Sequence, residues 1–212
     1  GSRLVEAPDG MLFVSVGDRG DRPSAQDTTN HNGTVLRITK TGQPAPGNPF
    51  ISQDGLDEIW SFGHRNPQGA TLDLDGNLWT AEHGAAGGDE VNRIEMGKNY
   101  GWPVISYGQH YSGRKIGVGT AAPGMEHPVH YWDPSIAPSG MMIYSGKLWP
   151  EWEGDMFVGS LKFDMISRLD AGREVERISG DETARVRDIR EAPDGSIWVM
   201  SVGNGEVYRV TP

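Results

Sequence analysis

The sequence predicts an all-β chain, a β-propeller built of four-stranded antiparallel blades. Three observations predict it. A unit of turn plus apolar strand recurs four times in a fixed order along the 212 residues. Helix breakers, 30 Gly and 14 Pro, are spread over the whole length and disfavour a helical bundle. Hydrophobic residues make up 36% of the chain and include 7 Trp, enough apolar surface for a core, so disorder is excluded as the main state.

The first unit is Pro8-Asp9-Gly10 leading into Met11-Leu12-Phe13-Val14-Ser15-Val16. The second is Leu74-Asp75-Gly76-Asn77 leading into Leu78-Trp79-Thr80-Ala81. A weaker third, Glu153-Gly154-Asp155, precedes Met156-Phe157-Val158-Gly159, and the fourth, Pro193-Asp194-Gly195-Ser196, precedes Ile197-Trp198-Val199-Met200. Each is an Asx-Gly type turn before a strand with an aromatic near its start. A second strand follows each unit: Thr34–Ile38, Glu90–Ile94, Met165–Leu169 and Glu206–Val210, all with arginine next to last (Arg37, Arg93, Arg168, Arg209). Sequential repetition of short antiparallel strands is the mark of propeller blades; a β-sandwich with the same strand count has no reason to repeat itself in order. The turn glycines lie 66, 78 and 41 residues apart, so the shortest interval reads as a bare four-stranded blade and the longer ones carry insertions. Thr41–Gly55 and Gly97–Pro138 are the expected insertions, and long loops on a rigid scaffold are where function concentrates.

The charge balance, 19 Lys+Arg against 29 Asp+Glu, is a formal −10, a poor match for nucleic acid but no obstacle to a local basic pocket. The absence of cysteine removes disulfides, thiolate metal sites and a cysteine nucleophile. No run of about 18 apolar residues predicts membrane insertion. The abrupt opening on Gly1-Ser2-Arg3-Leu4, without a leader, reads as a cut edge.

Candidate chemistry lies in the loops. Gly63-His64-Arg65-Asn66-Pro67-Gln68-Gly69 presents Arg65 and Asn66 as a fork donor and an amide suited to a carboxylate; a structural ion pair is the ordinary alternative for Arg65. Glu82-His83-Gly84-Ala85-Ala86-Gly87-Gly88-Asp89-Glu90 is a Gly-rich loop closed by two acids, fit for a hard cation or equally for solvent. Lys162 follows an apolar strand. Arg185 and Arg187 fall on one face of a strand by the period of two, where they could grip a polycarboxylate or form outer salt bridges. Five of the six histidines (His64, His83, His110, His127, His130) are placed in loops without zinc spacing. There is no nucleophile elbow around a serine and no phosphate-binding Gly-Lys-Ser/Thr.

Read together and in order, six motifs resemble one family. They are Gly17-Asp18-Arg19-Gly20-Asp21, His64-Arg65-Asn66-Pro67-Gln68-Gly69, Glu82-His83-Gly84 with Gly88-Asp89-Glu90-Val91-Asn92, Asn99-Tyr100-Gly101-Trp102-Pro103, Ser160-Leu161-Lys162 and Arg185-Val186-Arg187-Asp188. The chain resembles the soluble pyrroloquinoline-quinone (PQQ) sugar dehydrogenases of the glucose/sorbosone dehydrogenase family, most closely the aldose sugar dehydrogenase branch, over nearly its whole length. The resemblance implies a six-bladed propeller. The implied reaction oxidises the C1 hydroxyl of aldose sugars to lactones, with hydride passed to PQQ and on to a small-molecule or protein electron acceptor.

It also implies site roles. Arg65 and Asn66 become cofactor contacts, Arg65 counting also as catalytic; His83 becomes a polar cofactor neighbour; Lys162, Arg185 and Arg187 become the cationic partners of the PQQ carboxylates and quinone oxygens. Calcium is held by the carbonyls of Gly84 and Ala85, Asp89 is an acid of the substrate pocket, and Asp18 orients a general-base histidine. The family's second, structural calcium is left open, because Ile105-Ser106-Tyr107-Gly108-Gln109 offers no acid. The base histidine falls before Gly1. Residues 1–212 are therefore expected to form a single partial propeller of about four blades, inactive alone and prone to self-association through exposed blade edges. Periplasmic or secreted location is implied as well. A non-catalytic binding propeller and a calcium-dependent lactonase-like hydrolase remain as alternatives; retention of Arg65, Asn66, Lys162, Arg185 and Arg187 together favours the dehydrogenase.

Overall fold

Each of the four turn signals becomes the first hairpin of a sheet in the computed structural model, which describes residues 1–212. Blade 1 is β1 (Leu4–Glu6), β2 (Leu12–Val16), β3 (Thr34–Ile38) and β4 (Ile59–Phe62). Blade 2 is β5 (Pro67–Leu72), β6 (Leu78–Glu82), β7 (Asp89–Ile94) and β8 (His130–Trp132). Blade 3 is β9 (Pro138–Ile143), β10 (Met156–Ser160), β11 (Ile166–Asp170) and β12 (Arg173–Ile178). Blade 4 holds β13 (Val186–Glu191), β14 (Ile197–Ser201) and β15 (Glu206–Val210). In each sheet the strands follow sequence order and neighbours are antiparallel.

The first strand of each blade is the inner one, for β5 packs on β9 and β9 on β13. Glycine sets that approach. A Cβ on Gly69 of β5 would stand 2.4 Å from the Ser139 carbonyl oxygen, and one on Gly140 of β9 only 1.8 Å from Asp188 Oδ1. Near the axis, Arg3 of the first blade reaches Asp188 of the fourth at 3.3 Å.

Sheets in such a stack are covered on both faces. In β9, Met141 points into the cluster with Ala81, Val91, Met156 and Leu169, while its neighbour Met142 joins Phe157, Ile166, Val186 and Val199 on the other side. Two-sided burial is why β9 and β10 read as continuous apolar runs without alternation.

The repeated arginine has a geometric cause. In each blade it stands opposite the repeated aromatic on the preceding strand: Arg37 with Phe13, Arg93 with Trp79, Arg168 with Phe157, Arg209 with Trp198. In three blades its guanidinium also reaches the aspartate of the turn, Asp9, Asp155 or Asp194. The turns themselves repeat: Gly10, Gly76, Gly154 and Gly195 all have φ between 79° and 87°, the left-handed region that glycine enters without strain.

Four expectations are corrected. The last sheet has three strands, not four. His130 lies in β8 rather than in a loop, because residues 130–132 pair with β7 and close blade 2; the second insertion therefore ends at residue 129. The strand expected at Met165–Leu169 runs one residue later. Arg185 and Arg187 do not share a strand face. Arg185 precedes β13 with φ +50°, and the register slips between Val186 and Asp188, so strand alternation does not apply to the pair. No helix is long and apolar enough to cross a membrane.

The Asp–Arg pairs differ in cover, and so in weight. Asp155 is 6% exposed and Arg168 18%, whereas Asp194 and Arg209 are half in solvent. Replacing Arg168 by Ala strands a buried carboxylate and is expected to cost about 2 kcal/mol. Arg209→Ala is expected to leave the urea unfolding midpoint unmoved, which the same denaturation series measures.

Candidate functional site

Because strands alternate in direction, connections after even-numbered strands emerge at one end of the propeller. Those segments include residues 17–33, 63–66, 83–88, 133–137, 161–165 and 179–185, the same loops that carry the candidate residues. At this end lies a cleft of about 490 Å³, with Arg65, His83, Gly84, Ala85 and Lys162 in its lining together with Gln109 and Tyr111. An apolar cleft of about 400 Å³ between blades 2 and 3, lined by Trp79, Val91, Ile143 and Met156 beside the Gly154 and Gly172 turns, lies at the opposite end and has no Lys or Arg in its wall.

The Arg65 loop is held from below. The Arg65 N–H donates to Glu82 Oε2 at 2.8 Å, and His64 Nδ1–H donates to Glu82 Oε1 at 3.0 Å. The Arg65 guanidinium then donates to the His83 carbonyl at 3.1 Å and lies 5.3 Å over the Trp102 ring. The Arg65 carbonyl accepts the Asp18 N–H at 2.8 Å. Asp18 takes the Trp102 indole N–H at 2.8 Å on one oxygen and the Gly20 N–H at 3.0 Å on the other. Asn66 follows Arg65, and its carbonyl accepts the His83 N–H at 3.1 Å.

His83 donates Nε2–H to the Pro138 carbonyl at 2.7 Å. Burial holds its pKa below the usual histidine range against the opposing Asp89 charge, so the ring is neutral and its Nδ1 keeps a lone pair. The carbonyl oxygens of Gly84 and Ala85 accept no hydrogen bond from the protein. A Cβ on Gly84 would meet the Gly87 and Gly88 carbonyls at 2.1 and 2.3 Å, so the tight loop that carries these two carbonyls requires glycine there.

Asp89 is corrected. It is fully buried, with Oδ1 accepting the Gly84 N–H at 2.8 Å and Oδ2 accepting Ser135 Oγ–H at 2.6 Å and the Ala137 N–H at 2.8 Å. Its carboxylate braces two loops and does not line the cleft.

Lys162 is exposed, its ammonium 4.9 Å from the Phe163 ring. Arg185 lies beside it, donating to the Leu161 carbonyl at 3.4 Å while its N–H donates to Asp164 Oδ1 at 2.7 Å. Arg187 sits half-buried nearer the axis, its carbonyl accepting from Arg3 at 3.4 Å. None of Arg65, Lys162, Arg185 and Arg187 pairs with a carboxylate, although the chain has 29 of them. The ordinary reading of these four cations as structural ion pairs does not hold.

Sequence reasoning missed Glu82, Trp102 and Tyr111. The signal for Glu82 was an acid ending the apolar run Leu78-Trp79-Thr80-Ala81, a position that must be satisfied internally. Burial alone would push its carboxyl up; the His64 charge, with hydrogen bonds from His64, Arg65 and Asn92, outweighs this and holds it below the usual glutamate range. Glu90, directly across the strand pair, goes the other way. Burial first, then the Glu82 and Asp89 charges, raise it to about 8, while Asn92 bridges the two glutamates at 3.1 Å to each.

Blades, a loop end with free cations and two bare carbonyls define a propeller with a polar cleft at its loop end. The chain belongs to the glucose/sorbosone dehydrogenase family, whose model matches residues 1–209. It is 42% identical over 221 residues to the aldose sugar dehydrogenase YliI of Escherichia coli (strain K12), covering 100% of this chain and 60% of that protein. A crystal structure of glucose dehydrogenase superposes with TM-score 0.93 at 39% identity, over 99% of this chain and 63% of the other. The PQQ-bound form of an aldose sugar dehydrogenase from Streptomyces coelicolor superposes with TM-score 0.76 at 28% identity, over 98% and 60%. The chain thus spans about three fifths of the length of these relatives.

The raised pKa of Glu90 has a sign. The fold holds this proton more tightly than the unfolded chain, so nothing is lost below about pH 4, and stability falls as pH climbs toward about 8. Glu90→Gln is expected to melt above the wild type at pH 8 in metal-free buffer. The gap should close on acidification, as thermal melts across pH will show.

Proposed function

We propose that this chain carries the cofactor-binding loops of a PQQ- and calcium-dependent aldose sugar dehydrogenase. The observation that carries the reading is the set of carboxylate-free cations, Arg65, Lys162 and Arg185 around the cleft with Arg187 behind them. PQQ is a planar tricarboxylate, and fork-shaped guanidiniums plus a lysine point charge match it. The free Gly84 and Ala85 carbonyls are hard oxygen donors of the kind calcium selects. Bound there, the quinone supplies a hydride acceptor for the C1 hydroxyl of an aldose, whose product is the lactone, and the ion supplies a Lewis acid.

The protein's own groups then have separable tasks. Arg65, with its guanidinium tied to His83 and its face on Trp102, presents fixed donors to the cofactor. Lys162 and Arg185 would supply cationic partners for its carboxylates. His83, neutral and locked to Pro138, offers an acceptor beside the calcium loop. Asp18, fixed by Trp102 and Gly20, is by the resemblance the acid that would orient a general base. Electrons leave to a small-molecule or protein acceptor, in the periplasm or outside the cell. A lactonase-like hydrolase would need converging metal-binding acids, whereas no three His, Asp or Glu side chains gather here for a metal.

Titration with PQQ in the presence of calcium, followed by absorbance, is expected to saturate. Lys162→Ala and Arg185→Ala should each weaken binding about tenfold or more, the scale of a lost charge-assisted hydrogen bond. Unchanged affinity in both variants overturns the assignment. The last sheet supports a second expectation. Its outer strand β15 is unpaired on one side, and Trp198 and Met200 are 40% and 43% exposed on one face. Residues 1–212 are expected to self-associate through this surface, and Trp198→Ser with Met200→Ser should lower the sedimentation coefficient.

A further inference from the structure

Beneath the cleft lies a buried polar chain with no direct access to a ligand. Ser61, His64 and Glu82 are all buried, His64 and Ser61 completely. Ser61 Oγ is 2.9 Å from His64 Nε2, and the imidazole is stacked on Tyr100 with ring centres 4.7 Å apart. The other ring nitrogen donates to Glu82 Oε1, which also takes Asn92 Nδ2–H at 3.1 Å. Glu82 Oε2 is left for one donor, the Arg65 main-chain N–H at 2.8 Å.

A buried carboxylate is costly unless every oxygen is satisfied. Here satisfaction ties two strand ends and a loop together. Ser61 belongs to β4 of blade 1, Glu82 ends β6 of blade 2, and Arg65 lies in the connection between the blades. The residue after Glu82 is His83, whose carbonyl accepts the Arg65 guanidinium. One carboxylate thus fixes the main chain from which Arg65 projects and, through chain adjacency, the acceptor that aims its side chain.

We propose that Glu82, held by His64 and Ser61, is a positioning residue that sets the Arg65 guanidinium toward the cofactor. It touches neither cofactor nor substrate and acts only through Arg65. The inference rests on the PQQ reading above. Glu82→Gln keeps the size of the side chain but removes its charge and puts an amide donor where one oxygen accepted, against either the Arg65 N–H or the His64 and Asn92 donors, so at least one of these contacts is lost.

The test is a double-mutant cycle on the complete protein, read as PQQ affinity by absorbance titration with calcium, and does not depend on turnover. Glu82→Gln alone is expected to weaken PQQ binding about tenfold. In an Arg65→Ala background the same change should add nothing further, because the positioned group is gone. Glu82→Asp, which keeps the charge but shortens the reach, should fall between wild type and Glu82→Gln. A general loosening of the fold would instead weaken binding equally in both backgrounds. Equal effects with and without Arg65, or unchanged affinity in Glu82→Gln, overturn the positioning role while leaving the cofactor assignment standing. Failure of the wild type to bind PQQ overturns both.

Discussion

Contact between the inner strands β5, β9 and β13 sets how closely neighbouring blades approach, and Gly69 and Gly140 set that contact. With any larger residue the sheets would stand apart at the axis and the apolar clusters between blades would open. The whole arrangement follows from this one distance. Sheets packed that tightly are covered on both faces, so side chains such as Met141 and Met142 exclude water in opposite directions from adjacent positions. A rigid stack in turn fixes where each connecting loop begins, which is the precondition for loops from several blades to build one cleft.

The electrostatics of that cleft differ from those of the molecule. The chain is strongly acidic, yet the charged ends of Arg65, Lys162, Arg185 and Arg187 pair with no carboxylate, unlike those of Arg37, Arg168 and Arg209. Asp133 lines the cleft, whereas three other acids close by are engaged elsewhere. Asp89 faces backbone and serine donors, Glu82 faces His64 and Arg65, and Glu90 keeps its proton at neutral pH.

Legibility in the sequence followed locality. The turns at Gly10, Gly76, Gly154 and Gly195 and the arginine opposite an aromatic were readable because each depends on residues within a single hairpin. The Arg65, His83, Gly84, Ala85 and Lys162 set was readable as a resemblance, and the structure brings those five to one cleft. What depended on distant partners was not readable. The strand character of His130 needed β7; the loop-bracing role of Asp89 needed Ser135 and Ala137; Glu82 needed His64. Arg185 failed for another reason: periodicity presumes a regular strand, and its left-handed backbone lies just outside one.

All four glycine turns follow odd-numbered strands, at the end away from the cleft. The contacts that close each first hairpin are therefore spatially separate from those that line the cleft. Residues can change in the loops of one rim without touching the glycine turns of the other. The architecture divides its labour by polarity: one rim is free to vary while the opposite rim keeps the hairpins closed.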